Sequence, residues 1–185
     1  MAMAAHGEVT GIVLAAGAGS RAGGPKALLR LPSGEPWLEV ATRALLDGGC
    51  ARVVVVLGAQ ERRARPLVPP GVTIVVAPNW QHGMSDSLRT GLAAATGDAA
   101  LVTLVDLPTF PAAVVRRVLD AEGDLRQAVF GARPGHPVYF SSDQWMPAAN
   151  SLVGDTGARR YLAAHGVVEV ECGDLWDGVD RDFGG

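Results

Sequence analysis

The sequence predicts a three-layer α/β/α sandwich built on a mostly parallel sheet. Four β-branched runs are apolar throughout instead of alternating, as in strands covered by helices on both faces. Segments with helical spacing lie between them, and strand alternating with helix implies crossover connections and parallel pairing. A glycine-rich loop follows the first run, at the strand end where open α/β sheets bind ligands.

The first strand is expected over Val9–Ala15, stopping at the loop Gly17 to Lys26. Trp37, Leu38, Ala41, Ala44 and Leu45 recur at three and four residues, so a helix follows, and Gly48-Gly49 ends it. The next strands are expected over Arg52–Leu57 and Val72–Ala77. Met84, Leu88, Leu92 and Ala95 mark a helix behind the polar start Ser85-Asp86-Ser87, with Met84 read as core. A fourth strand covers Ala99–Val105, and Val114, Val115, Val118 and Leu119 form a helix whose first turn takes Pro111. The second half is less regular. Gln127–Phe130 and His136–Phe140 flank Gly131 to Gly135 as a hairpin or edge extension, with Pro137 limiting pairing. A helix from about Gly157 to Ala164 and a strand Val167–Glu171 close the pattern, and the whole reads as one domain, residues 1–185.

Composition excludes several classes. Of 185 residues, 48% are hydrophobic and 19% charged, which suits a packed core and not a disordered chain. A net charge of −3 argues against a nucleic-acid-coating or membrane-surface protein. The longest apolar runs fall far short of the ~20 residues that span a bilayer. Met1 to Glu8 lack a charged segment followed by an apolar one, so no secretory signal is expected. Two cysteines, Cys50 and Cys172, make no disulfide framework, and a reducing cytoplasm is the expected compartment.

The loop Leu14-Ala-Ala-Gly-Ala-Gly-Ser-Arg-Ala-Gly-Gly-Pro-Lys26 has the character of a phosphate cradle. Glycines let backbone N–H groups approach an anion, and Arg21 and Lys26 add positive charge. Two familiar phosphate loops do not fit. Gly19 and Gly24 have P-loop spacing, but Pro25 precedes Lys26, and Ala27 lacks the magnesium-binding hydroxyl. A dinucleotide fingerprint starting at Gly17 and Gly19 would need glycine at Ala22. Neither an ATPase nor a nicotinamide enzyme is favoured.

The pattern Leu14-Ala-Ala-Gly-x-Gly-x-Arg-x-Gly-x-x-Lys26 resembles the pyrophosphorylase loop of MobA-like NTP transferases. Four further blocks follow in that family's order: Asn79-Trp-x-x-Gly-Met-Ser-Asp-Ser-Leu88, Asp106-Leu-Pro108, Gly135-His-Pro137 and Gly154-Asp-Thr-Gly-Ala-Arg159. The resemblance is strongest to the molybdenum cofactor cytidylyltransferase branch. It implies a glycosyltransferase-A-like fold and a nucleotidyltransferase that moves CMP from CTP to a molybdopterin-type phosphate, releasing pyrophosphate.

On that resemblance, Arg21, Lys26 and Asp106 are catalytic, and Leu14, Ala15, Ala16, Gly17, Gly19, Gly83 and Ser87 meet the nucleotide. Mg²⁺ is the implied cofactor, held by Asp106 and Asp180. The family motif Asp-x-Asp-Thr-Pro departs here to Asp177-Gly-Val-Asp-Arg-Asp-Phe183, which keeps Asp177 and Asp182 open as substitutes for Asp180. His136, Asp155 and Arg159 are expected to meet the acceptor. The methyl of Ala16 is expected to crowd a purine and so favour cytosine. Implied partners are CTP or another NTP, a phosphorylated acceptor and a transient molybdoenzyme or chaperone, with no nucleic acid and no membrane.

Alternatives stay open: a molybdopterin guanylyltransferase, a sugar- or alcohol-phosphate nucleotidyltransferase, or a nucleotide-binding delivery module without turnover. The residues also allow plainer roles. Ser85 and Ser87 would suit helix N-caps, as would Asp155 or Thr156, and Asp106 would suit a capped turn.

Overall fold

The computed structural model describes residues 7–20, 23–107 and 109–178. Among the described residues seven strands form one sheet in the order β3-β2-β1-β4-β6-β5-β7. The first four are β1 (Val9–Ala15), β2 (Arg52–Leu57), β3 (Thr73–Val76) and β4 (Ala99–Leu104), all parallel. β5 (Leu125–Phe130) and β6 (Arg133–Ser141) form the hairpin. β6 alone runs antiparallel to its neighbours, and β7 (Val168–Glu171) pairs parallel with β5.

The helices are α1 (Trp37–Asp47), α2 (Glu61–Ala64), α3 (Met84–Ala94), α4 (Ala112–Asp120), α5 (Ser142–Ser151) and α6 (Arg159–Ala164). In β1, β2 and β4, residues of odd number, such as Val13, Val55 and Leu101, pack with Leu38 and Leu45 of α1 and Val114 and Val118 of α4. Even-numbered residues, such as Ile12, Val54 and Val102, pack with Leu88 and Leu92 of α3, Ala148 of α5 and Leu162 of α6. The period of two thus divides one apolar run between two cores, which is why the runs do not alternate. Close packing of α3 uses Gly91, where a Cβ would come 2.8 Å from the Ile12 side chain.

Three expectations are corrected. The third run is an edge strand with Thr73 and Val76 exposed, because only β2 flanks it. Pro137 does not confine its strand to an edge. β6 lies between β4 and β5, and the missing donor falls beside a register shift at Gln127/Val129, where the ladder is already interrupted. Met84 is 39% exposed instead of core, since it opens α3 at the sheet's rim. Pro111 precedes α4 as its N-cap. Among the described residues no helix is long and apolar enough to cross a membrane.

Candidate active site

β1 and β4 are neighbours, yet the chain leaves β1 through α1 toward β2 on the far side. Their carboxyl ends therefore flank a topological switch point, where crossovers diverge and leave a crevice. The loop after β1 is folded by Gly19, whose φ of +59° suits glycine and whose carbonyl accepts from Gly24 N–H at 3.1 Å. A Cβ at Gly19 would collide with the Gly24 carbonyl. Beyond it, buried Pro25 and Ala27 anchor a single 3₁₀ turn, Lys26–Leu28, that fixes the base of the Lys26 side chain.

Asp106 emerges directly after β4. Val105 N–H continues the ladder by donating to Leu14 C=O at 3.1 Å, and Leu107 is buried at 4% exposure. The carboxylate between them is held at the strand tip. Lys26 Nζ reaches Asp106 Oδ2 at 3.2 Å, with both side chains about a quarter exposed (24% and 22%). Two segments eighty residues apart thus meet at one point of the sheet. Asp106 Oδ1 is buried and makes no hydrogen bond within the described residues. A buried carboxylate oxygen without a donor fits a divalent cation, which takes oxygen ligands from one or two carboxylates plus phosphate and water. Among the described residues no group of three or more His, Cys, Asp or Glu could enclose a metal.

His136 is the fourth residue of β6, on the other side of β4 from β1. Its Nδ1 lies 3.3 Å from Val102 C=O, which favours the tautomer with hydrogen on Nδ1. Burial pushes its pKa down, against the opposing pull of the Val102 carbonyl and the Asp106 charge. Further along the same rim, Phe130, Arg133, Glu171, Trp176 and Asp177 line an open cleft of about 480 Å³. Trp176 meets Phe130 edge-on, with ring centroids 5.2 Å apart.

Gly83 opens α3 with φ +108°, and Gly83, not a serine, is the N-cap. Ser87 is buried at 6%. Asp155 and Gly83, read from the sequence as contacts of different substrates, are brought together. A Cβ at Gly83 would strike the Asp155 carboxylate and the Gly154 carbonyl. The Asp155 charge sits beside the positive end of the helix dipole. Neither Asp155 nor Thr156 caps a helix: α6 has Ala158 as its N-cap, and Thr156 Oγ1 donates to Val153 C=O at 3.0 Å. Arg159 is exposed at the start of α6.

Leu14, Ala15 and Ala16 are 7%, 3% and 3% exposed, so their side chains belong to the core and any ligand contact runs through backbone. Ala16 C=O already accepts from Ala59 N–H at 2.9 Å. The Ala16 methyl packs beside Gly58 and Trp80 and does not project into the loop, so steric exclusion of a purine does not follow from it. Gly17 is exposed. Arg21 and Asp180 lie outside the described residues. Ser85, read as a cap, is 2% exposed with its Oγ unbonded among the described residues. Gly58 lets the turn after β2 pack closely, since a Cβ there would come 2.7 Å from the Ala16 carbonyl and the Trp80 ring.

Residues 11–170 match the model of the MobA-like NTP transferase domain. The chain belongs to this family of nucleotidyltransferases. It is 39% identical to nicotine blue oxidoreductase from Paenarthrobacter nicotinovorans, over 94% of this chain and 92% of that one. It is 26% identical to molybdenum cofactor cytidylyltransferase from Escherichia coli K12, over 91% and 89%. Among solved structures, Rv0371c from Mycobacterium tuberculosis H37Rv superposes with a TM-score of 0.78 at 27% identity, covering 89% and 88% of the two chains. These likenesses establish the fold expected from the sequence. One of these relatives is named an oxidoreductase, whereas the glycine spacing spoke only against a nicotinamide-binding fingerprint.

Proposed function

We propose that this MobA-like nucleotidyltransferase moves CMP from CTP onto a molybdopterin-type phosphate. The observation that carries the reading is the meeting of Lys26 and Asp106 across the β1/β4 crevice. An acceptor phosphate oxygen attacks the α-phosphorus, the bond to the bridging oxygen breaks, and pyrophosphate leaves with the electron pair. The attacking phosphate is already an anion near neutral pH, so positioning and charge neutralisation dominate the chemistry. Backbone at Gly17 and Gly19 faces the triphosphate, and Lys26 with Arg21 stabilises charge moving onto the leaving group. Gly83 and Ser87 face the nucleoside. Mg²⁺ held by Asp106 and Asp180 would supply further neutralisation of the phosphates.

On the acceptor side, His136 is next to the crevice, and the half-buried Trp176 lines a cleft further along the same rim. Cytosine as the base rests on the resemblance, and competition binding in which GTP beats CTP rejects it. Asp155 and Arg159 complete the acceptor-side assignment. We place the reaction in a reducing cytoplasm, where the free, buried Cys50 and Cys172 stay thiols.

Incubation with each triphosphate, Mg²⁺ and molybdopterin, followed by pyrophosphate measurement, tests the reading. CTP-dependent release is expected, and Asp106→Ala should lower it by at least a hundredfold while CTP binding, read by calorimetry, persists. No release with any triphosphate overturns the reading. The relation to nicotine blue oxidoreductase favours a second one, electron transfer in the same crevice. Bleaching of nicotine blue with a reduced nicotinamide or flavin donor, without pyrophosphate release under any condition, would select it.

A further inference from the structure

Lys26 and Asp106 touch across the β1/β4 crevice. We infer that Lys26 occupies the cation seat at Asp106, so that a divalent metal is admitted only together with the triphosphate. The inference rests on the reading of Asp106 as a metal ligand. Its basis is the geometry of one carboxylate: Oδ2 carries the ammonium at 3.2 Å, while Oδ1 is buried and unbonded among the described residues.

The Asp106 carboxylate has a single negative charge, and Lys26 already neutralises it. A hydrated dication arriving alone would meet an ammonium a few ångströms from its ligand, and the two cations repel. It would also have to exchange tightly held water for a carboxylate already engaged. Among the described residues no cluster of carboxylates or imidazoles offers the dication another seat.

A triphosphate changes both conditions. Its oxygens lie along the glycine loop, from which the Lys26 side chain springs, and they offer the ammonium a second anion. Rotation of Lys26 toward phosphate releases Oδ2, and the phosphate oxygens complete the metal's shell. The anchored turn Lys26–Leu28 lets this exchange occur by side-chain rotation, without moving the loop's base. Lys26 is then a positioning residue for the metal before it is a phosphate ligand.

The test titrates Mn²⁺ into the full chain by electron paramagnetic resonance, with and without CTP. The parent protein should bind Mn²⁺ at least tenfold more weakly alone than with CTP. Lys26→Met should strengthen binding of Mn²⁺ alone tenfold or more. Lys26→Arg, which keeps the charge beside Asp106, should leave it weak, and Asp106→Asn should remove the gain in the Lys26→Met background. If the parent binds Mn²⁺ alone as tightly as Lys26→Met does, and Asp106→Asn abolishes that binding, the guard is overturned while the metal seat stands. If no variant binds Mn²⁺ through Asp106 even with CTP, the reading of the site falls as well. Circular dichroism of each variant separates loss of binding from loss of fold.

Discussion

Cys50 sits at 5% exposure where α1 gives way to β2, and burial pushes its thiol up to about 12. The thiolate is the reactive form, so the folded chain should resist alkylation at pH 8. Iodoacetamide followed by mass spectrometry should label Cys50 and Cys172 only after denaturant is added, and rapid labelling in buffer would contradict the burial. Gly19 makes a sharper demand. Gly19→Ala forces a Cβ against the Gly24 carbonyl at positive φ, so the loop must open. CTP affinity should fall tenfold or more, measured by calorimetry, with the melting temperature little changed. That Lys26 and Asp106 serve one site was implied by the family resemblance, whereas their direct contact is seen only in the fold. The contact of Gly83 with Asp155 was not legible in the sequence, since it joins two loops through space with no shared periodicity. Ala16 misled for a related reason: a sequence shows that a methyl exists but not which way the chain turns it.

At the scale of elements, the β5–β6 hairpin and β7 are tied by one carboxylate. Glu171 Oε1 accepts from Gly173 N–H at 2.7 Å and Gly131 N–H at 3.1 Å, and these donors hold its pKa below the ordinary 4.5. A depressed carboxylate stabilises the fold above 4.5, and that contribution is lost as pH falls through the folded value. Glu171→Gln should therefore lower the melting temperature at pH 7, and the difference from the parent should shrink as pH drops below about 4.5. A constant difference across that range would refute the tie. Arg89 of α3 likewise holds the end of α5, donating to Ala149 C=O at 3.3 Å and Leu152 C=O at 3.0 Å. The strands β1 and β2 matched their sequence bounds because each run is buried on both faces. The place of β6 was hidden, because proline usually marks an edge and only the bulge beside Pro137 makes a central position tolerable. α5 also went unread, with Pro147 interrupting a short polar segment.

The whole molecule is two cores separated by one sheet, and each strand of the parallel half contributes to both. Phe140 of β6 is 1% exposed in the core beneath α5 and α6. Phe140→Ala should cost about 3–5 kcal/mol, read by urea unfolding. Because the two cores share strands, it should shift a single cooperative transition instead of splitting it. The one reversed strand has a separate consequence. β6 carries His136 in its first half, running opposite to β4, whereas the glycine loop and Asp106 arrive at strand endings. The turn between β5 and β6 can therefore lengthen, shorten or change its side chains while the four parallel strands keep their register. Lineages sharing this scaffold are free to exchange one partner molecule for another by rewriting a few residues at that bend, with the inherited cradle left intact.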